Sequence, residues 1–196
     1  MSLLEPDHRH PASYGDGIRI AGPRDAERVA GLLSALGYPH EPDQAAARLL
    51  SWAAEAQGEV LVAEVDGAAD DGGAASGAAG GAAGGAAGGA AVGVVAVGVV
   101  AVYRVPYFER PGAFARVVAI SVDAGQRRAG VGRRLMAAAE RWAAAHGCVA
   151  VEVTCLRSRE DAHRFYRALG YVDRCAESGR FMRSLPHAQV QSPDLG

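Results

Sequence analysis

Arg127, Arg128, Gly130 and Gly132 stand within a single six-residue window of the run Ile120–Leu135, ISVDAGQRRAGVGRRL. The apolar residues before the window read as a buried strand and those after it as a helix. A turn at that junction presents free backbone N–H groups and the positive end of a helix dipole at one point, which suits a bound phosphate. The two arginines can add charge-assisted bonds to phosphate oxygens. Gly130 and Gly132 remove side chains where a ligand must come close, and Ala129 and Val131 belong to the same turn. The spacing is not that of a P-loop, since no Gly-Lys pair occurs. Nor is it the dinucleotide fingerprint, because Leu135 stands where the third glycine belongs. The competing reading is a basic, glycine-bearing helix start without a ligand.

A second set of reactive side chains follows. Tyr166 lies beside Phe165 in a helical stretch, and a phenol is protonated at neutral pH and able to donate. An aromatic in that setting is also an ordinary core residue. Glu152 is the carboxylate of an apolar strand, with Val151 and Val153 facing the other way by alternation. It reads equally as a proton acceptor or as a residue of the strand's polar face. Glu109 is a second candidate base. His146 and His163 read as exposed surface residues.

Arg127-x-x-Gly130-x-Gly132 resembles the acyl-coenzyme A pyrophosphate loop of the GNAT superfamily of N-acetyltransferases. Ala162-x-x-Phe165-Tyr166-x-x-Leu169-Gly170-Tyr171 resembles that family's C-terminal helix, whose tyrosine often acts as general acid. The resemblance extends from Ile18 to Leu185, apart from one insertion. Two positions depart from it. Arg159 stands where many members have Asn, and Val117–Val122 carries no carboxylate.

The resemblance implies a mixed, splayed central β-sheet flanked by helices. In that fold Ala115–Val122 and Cys148–Cys155 part, and the pantetheine arm of acetyl-CoA lies between them, bonded to main-chain groups of Ile120 and Val122. It further implies an acetyl-CoA-dependent N-acetyltransferase that acts by direct attack of a primary amine, with Tyr166 protonating the departing thiolate and no metal. A small-molecule amine is the expected acceptor. A protein amino group and a non-catalytic acyl-CoA-binding module are the alternatives. A base is dispensable if the amine binds neutral. Homodimers are common in the family, and the residues leave that question open.

Composition agrees with this class. The 196 residues suit one domain with a substantial core. A formal charge of −2 argues against a nucleic-acid-binding surface. The three cysteines, Cys148, Cys155 and Cys175, show no metal or redox spacing and read as free thiols of a reducing compartment. Residues 1–16 lack the apolar run of a signal peptide and read as a disordered tail. No stretch reads as a membrane span, and the valine-rich residues 90–105 read as a strand. A soluble cytoplasmic protein is expected.

The elements that must position these groups follow from periodicity. Strands are expected at 17–21, 59–65, 92–105 (bent at Gly98), 115–122, 148–155, 171–176 and 180–185. Helices are expected at 23–36, from Asp43 to about Gln57, at 131–146, and from an N-cap at Ser158 to Leu169. The acetyltransferase domain spans 17–185, and 186–196 reads as a polar tail.

Residues 67–91 are built on Gly-Ala-Ala-Gly repeats and have no side chain able to bury apolar surface against the ordering entropy. They read as a disordered insertion at a hairpin tip, where each doubling of loop length costs only about 0.6 kcal/mol. Replacing 68–90 by a two-residue Asn-Gly turn should leave the melting temperature equal or higher and kcat/KM within a few-fold. A large loss of activity with intact folding would show instead that the segment covers the substrate.

Overall fold

Runs of alternating burial pair into one six-stranded sheet in the order β1 (Ser13–Gly15), β2 (Ile18–Ile20), β3 (Gly58–Gly67), β4 (Gly93–Pro106), β5 (Ala113–Val122) and β6 (Cys148–Val153). All neighbours are antiparallel except β5 and β6, which are parallel. The structure is a computed structural model that describes residues 13–67, 93–177 and 181–183. The expected N-terminal tail up to residue 12, residues 68–91 of the expected insertion, residue 92 of the strand expected after it, and the C-terminal tail lie outside the described residues.

Helices cover both faces, as the sheet's two apolar sides require. A 3₁₀ turn at Pro23–Asp25 leads into α1 (Ala26–Ser34), and α2 (Pro42–Ala53) follows. These bury Val29, Leu32, Ala45 and Leu49 against Val62 and Val99. On the other face α3 (Val131–Ala145) seats Val131, Leu135, Met136 and Trp142 on Leu61, Val100, Val102 and Val117. The side chains of Phe165, Tyr166 and Leu169, at and just beyond α4 (Glu160–Ala168), join that cluster. A Cβ on Gly98 would fall 2.9 Å from Leu135 Cδ1 and 3.0 Å from Val131 Cγ1, so this glycine lets α3 lie close on β4.

Several sequence-based boundaries need correction. The last residues of the expected tail form β1, because Gly15, Asp16 and Gly17 all adopt positive φ and turn the chain back onto β2. The second helix stops at Ala53. The N-cap of α4 is Arg159, which makes no side-chain cap, in place of Ser158. Tyr171–Ala176 forms no strand: this stretch is irregular and ends in a turn. Of the strand expected at 180–185, only 181–183 are described, and they are not in a strand.

Bulges in the β3–β4 and β4–β5 ladders bend the middle of the sheet. The β3–β4 register shifts between Ala63 and Glu64, leaving Val97 unopposed beside Gly98, where a bend was expected. The β4–β5 register shifts between Ala101 and Val102, leaving Val118 unopposed. Charge ties β2 to β3 and to the 3₁₀ turn. Arg19 holds Asp25 through two bonds of 2.6 and 2.7 Å and also pairs with Glu64. Burial works to raise the Asp25 carboxyl, but the bonds from Arg19 and from the Gly22 N–H outweigh it and hold it below the usual range.

Glu59, on the α3 face of β3, is only 6 % exposed. Burial pushes its carboxyl up from 4.5 to about 7. The folded state therefore holds a proton that the unfolded chain releases. Stability should be highest below about pH 4.5 from this group and should fall as pH rises through about 7. Glu59→Gln should remove that dependence and be the more stable protein at pH 8, with the difference vanishing near pH 4.5. Urea melts across pH 4–8 measure this; a parallel pH profile for both proteins would refute it.

Candidate active site

The parallel ladder between β5 and β6 runs from Ala113↔Cys148 to Val117↔Val153 and ends there, while β5 continues to Val122. The Val118 bulge sits at the point where the strands part, and a bulge bends its own strand and increases the local twist. Beyond it β5 stays bonded on one edge only. The Asp123 N–H donates to Val97 O at 2.9 Å, which makes Asp123–Val97 and, two residues back, Ser121–Val99 the hydrogen-bonded pairs. By alternation the main-chain groups of Ile120 and Val122 point away from β4, into the opening.

The phosphate-type turn begins where β5 ends. The Asp123 carboxylate accepts the Gly125 N–H at 2.9 Å and starts a 3₁₀ turn at Ala124–Gln126. Arg128 adopts φ +67° and Gly130 φ +79°, and α3 starts at Val131. The first backbone bond back to the helix start is Arg134 N–H to Gly130 O at 3.0 Å. The N–H groups of Val131, Gly132 and Arg133 precede it and have no acceptor within the helix. Arg127, Arg128 and Ala129 are exposed, and neither arginine has an ion-pair partner among the described residues. The Val131 side chain is core, so only its main chain faces the turn. The two glycines have separate reasons. Gly130 takes a left-handed conformation. A Cβ on Gly132 would fall 3.2 Å from Phe165 Cζ, so its bareness lets α3 meet α4.

Tyr166 lies on α4, its ring edge-on to Phe165 at 5.3 Å and to Tyr171 at 6.0 Å. Burial, then the nearby Cys155, pushes its phenol up to about 12, with Arg159 opposing. With Val153, Cys155 and His163 it lines an open cavity of about 870 Å³ that Glu152 also borders. Glu152 is elsewhere than beside the phenol. Val151 and Val153 pack on the α3 side, so Glu152 projects from the opposite face. There its carboxylate accepts bonds of 2.9 and 3.1 Å from Arg116, its register partner on β5.

The remaining candidates separate as well. Glu109 is exposed, 4.0 Å from Arg110. His146 stacks on Trp142 at 4.2 Å, and His163 lies 3.5 Å from Cys155 Sγ, so both are half-buried instead of fully exposed. Burial pushes the Cys148 and Cys155 thiols up, away from the reactive thiolate. Among the described residues no three His, Cys, Asp or Glu side chains are grouped to hold a metal ion, and no helix is long and apolar enough to cross a membrane.

Sequence reasoning missed the ties that hold this region to α1. Arg28 bonds Ala96 O and the Asp123 carboxylate, each at 3.0 Å. Arg159 donates to Leu36 O at 3.1 Å. Such pairs, 95 and 123 residues apart, have no local signature.

Residues 26–171 match the acetyltransferase (GNAT) family. No curated protein sequence matches the chain. Solved structures share its fold at low identity. A putative acetyltransferase from Agrobacterium tumefaciens str. C58 is 20 % identical with a TM-score of 0.64, over 85 % of this chain and 99 % of that one. The aminoglycoside acetyltransferase AAC(6')-Iy, in complex with the bisubstrate analogue CoA-S-monomethyl-acetylneamine, is 20 % identical with a TM-score of 0.62, over 86 % and 97 %. A ribosomal-protein-alanine N-acetyltransferase from Brucella melitensis biovar Abortus 2308 is 18 % identical with a TM-score of 0.59, over 86 % and 98 %.

The left-handed φ of Gly130 sets a cost for any side chain there, even though the space around it is open. Gly130→Ala should destabilise the fold by about 1–2 kcal/mol. Gly130→Asn, which tolerates that conformation better, should cost less. Equal denaturant midpoints for the two variants and the parent would refute this.

Proposed function

The chain belongs to this acetyltransferase family, and from that premise we propose that it transfers an acetyl group from acetyl-CoA to the primary amine of a small molecule. The observation that carries the reading is the parting of β5 and β6 beside an uncapped, arginine-flanked helix start. An extended pantetheine arm fits the first feature, since Ile120 and Val122 offer a row of strand donors and acceptors. A pyrophosphate fits the second, with Arg127, Arg128 and the N–H groups from Gly130 to Gly132 around it and Ala129 in the same turn.

The chemistry is aminolysis of a thioester. The amine nitrogen attacks the acetyl carbon, the C–N bond forms, the C–S bond breaks, and the amine gives up a proton. A main-chain N–H near Val122 polarises the carbonyl; one such preorganised donor contributes about 10²–10³-fold in rate. Tyr166 meets the charge growing on sulfur. With its phenol at about 12 it is fully protonated at neutral pH and serves as a hydrogen-bonding acid. Glu152 receives the amine's proton directly or through water. For this it must exchange its bond with Arg116 for one with the acceptor. The acetylneamine named in one structural neighbour supports a small-molecule acceptor. The ribosomal-protein alanine of another keeps a protein amine as the alternative. Free thiols at Cys148, Cys155 and Cys175 fit a reducing, cytoplasmic setting.

Calorimetry with CoA should give binding heat for the parent and almost none for Gly130→Glu, which sets a carboxylate against the pyrophosphate. With an amine from a thiol-release panel, Tyr166→Phe should lower kcat about tenfold or more with little change in CoA affinity. Equal CoA binding by parent and Gly130→Glu would overturn the site. An unchanged kcat would make Tyr166 a packing residue. Thiol release accelerated by peptides with free N-termini, and by no small amine, would favour the protein acceptor.

A further inference from the structure

The phosphate-type turn carries a charge of the wrong sign. Asp123 lies four residues before Arg127, at the end of β5, and its carboxylate cannot simply turn away, because one oxygen caps the Gly125 N–H at 2.9 Å. That bond forms the 3₁₀ turn leading to Arg127 and the start of α3. A carboxylate fixed on the turn that leads into an anion site adds charge of the ligand's own sign to the field around that site. In this structure its other oxygen meets the guanidinium of Arg28, reaching across from α1 at 3.0 Å. Arg28 is itself pinned, since its Nε donates to Ala96 O on β4 at 3.0 Å. One arginine thus joins α1, the β4 bulge region and the turn.

We propose that Arg28 is a positioning residue for the cosubstrate site: it neutralises and holds Asp123, so that Asp123 can shape the turn without repelling the ligand's phosphates. This rests on the reading of residues 127–132 as the acetyl-CoA pyrophosphate site. Arg28 acts through Asp123, and its effect falls on cosubstrate affinity and not on the chemical step. The pair is half-exposed, with side chains 46 % and 36 % accessible, and such pairs contribute little to global stability. Loss of Arg28 therefore costs the fold little beyond its single bond to Ala96 O, and leaves behind a carboxylate without its partner.

The expectation is a distinctive pattern of rescue. Arg28→Ala should weaken CoA binding and raise KM for acetyl-CoA by about three- to tenfold, with kcat within twofold and the melting temperature within a few degrees of the parent. Adding Asp123→Asn, which keeps an oxygen to accept the Gly125 N–H but removes the charge, should restore most of the lost affinity. Glu27→Ala, a neighbouring change on α1, controls for nonspecific loss of that helix and should behave as the parent. Parental affinity in Arg28→Ala would overturn the proposal. So would a double variant as weak as Arg28→Ala, which would mean that Arg28 touches the ligand itself. Gly130→Glu separates the two levels of inference. If it abolishes binding while Arg28→Ala does not weaken it, the site stands and the role of Arg28 falls. If Gly130→Glu binds normally, the site reading fails and this proposal fails with it.

Discussion

Strand β5 is bonded along both edges as far as Val117 and along one edge beyond it. Main-chain donors and acceptors must be satisfied, by water or a ligand if no strand is present. The freed groups of Ile120 and Val122 form such a row. The rest of the arrangement keeps that edge open and anchored. The Val118 bulge turns the strand, β4 holds its other edge as far as Asp123, and α3 starts only after the turn has closed. The long antiparallel β3–β4–β5 ladder behind it, buried between two helical layers, supplies the rigidity that a single-edged strand lacks on its own.

Two kinds of glycine serve this region. Gly130 supplies a conformation that other residues take only at a cost, and so lets the chain turn from β5 into α3. Gly132 and Gly98 supply closeness: α3 rests against Phe165 through one and against β4 through the other. As a result the helix whose dipole faces the turn is pressed on two sides, and its N-terminus is held at a definite distance from both β5 and α4. Charge does the same work at longer range. Arg19, Arg28 and Arg159 each leave their own element to bind a carboxylate or a carbonyl elsewhere, and the latter two tie the ends of the parted strands to α1 and the loop after it.

The faces on which Tyr166 and Glu152 lie bear on the proposed chemistry. The phenol is on the α3 side with Val151 and Val153, and the carboxylate is on the other side with Arg116. A group held in the opening between the strands is reached from both faces. On the proposed reading, the leaving sulfur and the arriving amine meet the same open cavity from different sides of the sheet. In that proposal the acceptor takes the place of the Arg116 bond to Glu152.

Much of this was legible in the residues. Arg127 to Gly132 marked the turn, the ending from Ala162 to Tyr171 marked the helix carrying Tyr166, and alternation placed Glu152 opposite its valine neighbours, because these are local patterns with short periods. The same logic located β3 to β6 and α3 within a few residues. Ser13–Gly15 escaped it because a turn of three positive-φ residues, Gly15 to Gly17, folds a short polar stretch back onto β2 with no hydrophobic pattern to announce a strand. Tyr171–Ala176 misled it because β-branched and aromatic residues favour a strand only where a neighbour is available to pair with. Tertiary structure alone decided where β5 and β6 part, that Gly132 faces Phe165, that Glu152 is paired with Arg116, and that Arg28 reaches Asp123. Each of these depends on two segments brought together across the fold. Local spacing holds no record of such distances, which is why they appear only once the chain has packed.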